Sequence, residues 1–247
     1  MCYMIYILLS RPNFDAEWAY QSLSPYITKD KHVLVIPMTS FDEGWESESA
    51  LWETRYHKGN RQYEKIAAPF RNYQIPDKQI TFLNYFKDTP QEIQRKISEA
   101  DIIYLTGDNP DHMMMTIHEL DMHKPLLEFD GILIASGYGA SIVMDEFDSM
   151  YDWEEPDENG LGLLRGFALE PGYIEDEAHL ARLLHDIEQK GKNVFAFTNE
   201  GGLLIADGSY ELLGNAFTVT DADLDQVYQA YEDAKSRQEY YGDNGEW

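Results

Sequence analysis

Ile102-Ile103-Tyr104-Leu105-Thr106-Gly107-Asp108-Asn109-Pro110 and Ile132-Leu133-Ile134-Ala135-Ser136-Gly137-Tyr138-Gly139-Ala140-Ser141 decide the reading of this chain. Each is a short apolar run, then a turn of small or polar residues, then a stretch that forms a helix. The first leads into Met113, Met114, Met115 and Ile117, the second into Ile142-Val143-Met144. Similar runs stand at 3–9, 33–37, 80–86, 163–169, 194–198 and 203–206. Runs this short and this apolar read as strands covered on both faces of a parallel sheet. Between them, 15–26, 46–68, 89–100 and 174–190 carry apolar residues at mixed spacings of three and four, the mark of amphipathic helices.

The alternation predicts an α/β fold: a doubly wound, mostly parallel sheet with helices on both faces, in the three-layer, flavodoxin-like manner. After Asn193 the spacing tightens. Residues 194–198, 201–206 and 210–219 read as a C-terminal antiparallel addition, with turns at Glu200-Gly201-Gly202 and Asp207-Gly208. Residues 221–240 predict a terminal helix presenting Leu224, Val227, Tyr228 and Tyr231 on one face. No Pro/Gly/Ser linker divides the chain, so one domain is expected over 1–241, with a mobile tail at 242–247.

The 247 residues carry a net charge of −26, with 43% hydrophobic and 13% aromatic residues. That is enough apolar material for a core, so the charge does not signal disorder. A surface this acidic repels phosphate, which sets aside nucleic acid and anionic membranes as partners. The apolar opening run has no basic residues before it and is far too short to span a bilayer. The single cysteine, Cys2, excludes an internal disulfide framework and is expected in the core of the first strand. A cytoplasmic location is the expectation. Residues 145–159 include eight acidic residues but lack the spacing of a calcium loop, and read as solvated surface.

In an open α/β sheet the site lies beyond the carboxyl ends of the strands. A small-residue turn between strand and helix is how a nucleophile elbow is built, but the elbow needs G-x-S-x-G, which 135–140 does not supply. The tip residue is Gly137.

These segments, taken in order, resemble the dipeptidase E / cyanophycinase family of serine peptidases, within the class I glutamine amidotransferase-like fold. Val33-Leu34-Val35-Ile36-Pro37-Met38-Thr39-Ser40 is similar to the family's second strand and turn. Thr106-Gly107-Asp108-Asn109 is similar to its oxyanion loop. Gly162-Leu163-Leu164 leading to Pro171-Gly172-Tyr173 is similar to the segment bearing the catalytic histidine, and 195–208 with Leu213-Gly214 to its closing strands. The family's elbow reads G-x-S-A-G-A, so the resemblance puts Gly137 where the nucleophilic serine stands and Gly172 where the histidine stands. The acidic third member falls near Asp152. Asp108 would bring a negative charge towards a developing oxyanion. The resemblance also implies short peptides, with an acidic N-terminal residue, as the substrate class, and leaves a homodimer as an option.

Attack on an amide needs a nucleophile, a base and donors for the oxyanion. Ser136 and Ser141 flank the tip as substitute nucleophiles, although packing or capping is the plainer role for both. Tyr138 projects from the turn as a pocket-closing side chain. His112, His118, His123, His179 and His185 are the histidines near these segments. His118 and His123, read on one helix, stand roughly 140° apart and so do not share a metal. No metal or cofactor is expected. Two function readings remain open: a catalytically degenerate member keeping its pocket for a small peptide or other small molecule, and an active hydrolase with a relocated nucleophile.

Overall fold

The computed structural model describes residues 4–38, 45–147 and 158–242. The chain runs β1 (Ile5–Leu9), α1 (Glu17–Leu23), β2 (Val33–Met38), α2 (Trp45–Arg55), α3 (Arg61–Asn72), β3 (Ile80–Phe82), α4 (Pro90–Glu99), β4 (Ile102–Gly107), α5 (Pro110–Glu119) and α6 (His123–Leu127). It continues through β5 (Ile132–Gly137), α7 (Tyr138–Ser141), β6 (Glu146–Phe147), β7 (Glu158–Asn159), β8 (Phe167–Pro171), α8 (Glu177–Glu188), β9 (Asn193–Ala206), β10 (Ser209–Val219) and α9 (Leu224–Gly242).

The eight-stranded sheet has the order β10-β9-β1-β5-β4-β2-β3, with β8 also on β9. Strands β1, β5, β4, β2 and β3 are parallel, as the apolar runs predict; every residue of β2 is buried. Strand β9 is antiparallel to β1 and β10 is antiparallel to β9. Local chemistry fixes the helix starts. Thr89 and Glu92 form a capping box ahead of α4, which buries Ile93 and Ile97 one turn apart. Asn109 caps α5 by accepting from the His112 N–H, and Asp176 caps α8 through the His179 N–H.

Several boundaries differ from the sequence expectation. Strand β3 stops at Phe82, because Asn84 and Asp88 accept N–H groups in a turn at 84–88. The stretch 46–68 breaks into two helices around Gly59, whose φ is +91°, with Asn60 capping α3. The run 163–169 is extended only from Phe167; Gly162 and Gly166 take positive φ on either side of the turn before it. No hairpin turn forms at 200–202. Strand β9 continues through it, and the reversal comes at Asp207-Gly208, both with positive φ as a tight two-residue hairpin requires. The terminal helix α9 reaches Gly242 and buries Val227 and Ala234, while Tyr228 is exposed and donates to Glu188. Cys2, most of 145–159 and residues 243–247 lie outside the described residues; of the acidic stretch, Asp145 and Glu146 pair with Lys192. No helix among the described residues is long and apolar enough to cross a membrane.

The apolar interior forms two clusters. The larger surrounds the central parallel strands; the smaller joins α8 and α9 to Val194 and Val219, with Ala168 against it.

Candidate functional site

Strand β5 passes into α7 through Gly137, whose φ of +57° and ψ of −130° only glycine adopts freely. A Cβ built there would meet nothing nearer than the Ser10 carbonyl oxygen at 3.7 Å, so the tip has room for a side chain. Gly139 does not: a Cβ would lie 2.5 Å from the Leu105 carbonyl oxygen, because α7 packs directly on the end of β4. Gly107 is equally constrained, wedged between the Met38 carbonyl and the Met113 side chain. In the β4–β5 ladder Gly107 is the register partner of Gly137. Thr106-Gly107-Asp108-Asn109 therefore lies beside the elbow tip, with Asn109 turned back to cap α5 and Asp108 exposed. Tyr138, the residue after the tip, is 40% exposed.

Ser136 faces the interior. Its hydroxyl lies 2.7 Å from the Tyr104 hydroxyl and donates to Thr106 at 3.3 Å. Burial pushes the Tyr104 phenol up to about 12, with the Ser136 and Thr106 hydrogen bonds opposing the rise. Ser141 ends α7, and Asp152 lies outside the described residues.

Strand β8 ends at Pro171 and is followed by Gly172, with φ +84° and open space where a Cβ would stand. The N–H groups of Gly172 and Tyr173 both donate to the Phe197 carbonyl, at 2.9 and 2.8 Å. Strand β9 pairs with β8 through Asn193 to Phe197 and with β1 through Gly202 to Ile205. Strands β8 and β1 thus lie end to end along β9, and the β8 exit at Gly172 meets the β1 exit at Ser10. Ser10, in turn, is the neighbour of Gly137. Both glycine turns open on the carboxyl edge of the sheet.

The histidines are distributed otherwise. His179 is half-buried on α8, where its Nδ1 lies 2.7 Å from Asp176 and its Nε2 3.6 Å from Glu170. Arg182 donates to the buried Glu170 through Nε and Nη2, at 2.6–3.1 Å. Burial raises the Asp176 carboxyl, but hydrogen bonds from His179 outweigh it and hold it below its ordinary value. Glu170 and Ala168 share the β8 face towards α8, whereas Phe167 and Leu169 face the main core with α7. The His179 cluster therefore lies on the opposite face from the elbow. His185 is exposed. His112 lines a cavity of about 50 Å³ with Tyr85, Phe86 and Thr116. His118 and His123 do not share a helix: Asp121, with φ +51°, breaks the chain between α5 and α6, and the two rings come within 5.6 Å. Among the described residues no group of three or more His, Cys, Asp or Glu could hold a metal ion.

The sequence reading missed a depression of about 570 Å³ beside Gly172, where Tyr173, Glu175, Thr198, Asn199, Glu200 and Asn215 converge. The signal was Glu200-Gly201-Gly202, read as a reversal. It is a bulge: the β9–β10 register jumps from Gly201↔Gly214 to Phe197↔Ala216. A Cβ on Gly201 would sit 3.2 Å from the Thr198 nitrogen and 3.2 Å from the Ala216 nitrogen, tighter than ordinary contact, so a side chain here requires its neighbours to give by a few tenths of an ångström.

Residues 60–213 match the model of peptidase family S51. Two solved structures are similar over most of their length. A protein of Listeria monocytogenes EGD-e, assigned as a peptidase E, is 16% identical with a TM-score of 0.58, over 85% of this chain and 97% of that one. A peptidase from an acI-B1 actinobacterium is 14% identical with a TM-score of 0.60, over 88% of this chain and 94% of that one. No curated protein matches the sequence significantly.

Proposed function

The chain belongs to peptidase family S51, and we propose that it is a non-catalytic member that keeps the carboxyl-edge site for binding a small peptide. The observation that carries this reading is the elbow tip. Its backbone turns as a nucleophile elbow must, yet the tip is Gly137 and presents no hydroxyl. Hydrolysis of an amide needs a nucleophile deprotonated by an adjacent base. Gly172, on the turn that the resemblance gives to the histidine, supplies no base. His179 is held by Asp176 and Glu170 on the other face of β8.

The hydroxyl most readily recruited as a substitute, that of Ser136, is committed to Tyr104 and Thr106 inside the core. Releasing it would leave the buried Tyr104 hydroxyl with Thr106 as its remaining partner, at a cost of about 0.5–1.5 kcal/mol. That weighs against a relocated nucleophile at Ser136 and leaves Ser141 as the other flanking hydroxyl for labelling to exclude. The close backbone approaches at Gly107 and Gly139, which set the 106–109 loop against the turn, support a binding role by contrast.

Incubation with a fluorophosphonate probe, followed by intact-mass analysis, tests the reading. The expected result is no adduct, together with no cleavage of aspartyl dipeptides. Stoichiometric labelling at Ser136 or Ser141 would replace it with an active hydrolase.

A further inference from the structure

We infer that the depression beside Gly172 binds the cationic amino end of a short, extended peptide, with Glu200 and Glu175 taking its positive charge. The inference rests on the reading of the carboxyl edge as a retained binding site and adds the ligand's chemistry.

The first support is a gap in the sheet. Strand β9 is paired on one side by β8 up to Phe197 and by β1 from Gly202. On its other side the β10 register skips from Phe197 to Gly201. Thr198, Asn199 and Glu200 therefore have no ladder partner among the described residues. Peptide groups of a bulge that stand outside the ladder register are open to hydrogen bonds with a bound main chain, which gives affinity for a peptide.

The second support is the open depression at that gap. Its volume of about 570 Å³ lies in the usual range for small-molecule sites and suits two or three residues rather than a folded partner. Ile174, 55% exposed, supplies an apolar rim; Asn199, Asn215 and Thr198 supply hydrogen-bonding groups.

The third support is charge. The lining holds two carboxylates and no lysine or arginine. Arg237 reaches Glu175 from the exposed surface at 3.7 Å. Glu200 makes no ion pair with any described residue. An ammonium group placed here meets an uncompensated carboxylate, whereas an acidic side chain meets like charge. A net charge of −26 adds long-range attraction for cations. This selection is opposite to the acidic N-terminal residue implied by the family resemblance.

Calorimetric titration of the full chain at low salt with Lys-Ala, Ala-Ala, N-acetyl-Ala-Ala and Asp-Ala tests the inference. Lys-Ala is expected to bind about 3–10-fold tighter than Ala-Ala, as one additional partly solvated charge contact allows. Acetylation is expected to abolish binding, and Asp-Ala to bind weakest of the three peptides with a free amino group. Glu200→Gln keeps the shape of the side chain and should weaken Lys-Ala by a similar factor. If that variant melts early, Glu175→Gln is read in the same way. Binding of Asp-Ala as tight as Lys-Ala, an unchanged Kd in the variants, or no binding by any of the four would overturn the inference. Fluorophosphonate labelling would instead overturn the non-catalytic reading and leave the order of peptide affinities as it stands, so the two failures are distinct.

Discussion

Replacing Gly137 with serine isolates the backbone cost of the elbow. Three quantities fix the expected magnitude. The φ of +57° and ψ of −130° place the residue where a side chain is disfavoured, which costs about 1–3 kcal/mol. The nearest atom to the new Cβ is the Ser10 carbonyl oxygen at 3.7 Å, ordinary van der Waals distance, so no steric term is added. For a chain of this length, each kcal/mol lowers the melting temperature by about 2–4 °C. Gly137→Ser should therefore fold and melt roughly 2–12 °C lower, read by calorimetry together with urea unfolding. Gly139→Ala is the matched control. Its Cβ would press on the Leu105 carbonyl at 2.5 Å, and since backbone rather than a side chain must yield, the loss should exceed that of Gly137→Ser. The serine alone should stay unreactive, since it has no base beside it. Gly172→His adds an imidazole at a turn with open space for it, and only the double variant should gain fluorophosphonate reactivity. Unchanged stability in Gly137→Ser, or a loss greater than in Gly139→Ala, would refute the argument that the tip is roomy but conformationally constrained.

Three further outcomes follow from the same geometry. Ser136→Ala should cost about 0.5–1.5 kcal/mol by removing one of the two hydrogen-bond partners of the buried Tyr104 hydroxyl, and should leave probe labelling at zero; a neutral effect on stability would mean that this network is dispensable. Because Tyr104 rises from 10.0 unfolded to about 12 folded, the folded state holds its proton where the unfolded state loses it. Its contribution is thus complete below pH 10 and is lost as pH climbs to about 12, which urea titrations of wild type against Tyr104→Phe in that window would detect. With 45 acidic and 19 basic residues, self-repulsion should ease as salt rises to a few hundred millimolar, which shortens the Debye length to several ångströms; a flat or falling melting temperature would refute that.

Patterns of burial carried most of the fold. The runs that became β2, β4 and β5 are apolar throughout because both faces are covered, and nothing but a parallel α/β sheet uses such strands in alternation with helices. The elbow was legible for a related reason, since Gly139 and Gly107 are positions where no side chain fits. What sequence alone did not reveal depended on which strands become neighbours. Glu200-Gly201-Gly202 carries the composition of a reversal, and only the end-to-end placement of β8 and β1 along β9 turns it into a bulge that opens a cavity. His118 and His123 were placed by helix periodicity, which a single left-handed residue, Asp121, overrides. The side assigned to His179 depends likewise on the pleat of β8, and its carboxylate neighbours come from two different elements.

The 14-residue strand β9 has a mechanical consequence. Its first part joins the two apolar clusters, with Val194 in the smaller one beside α8 and α9, and Phe195 and Phe197 in the main core that its second part also enters. The bulge at 198–200 adjoins the seam between the clusters. Hydrogen exchange should therefore resolve two cooperative units, with α8 and α9 opening together at a lower free energy than the parallel strands. A ligand seated at the seam would fasten both units at once, and the protection it confers would extend to α9, far from the atoms it touches.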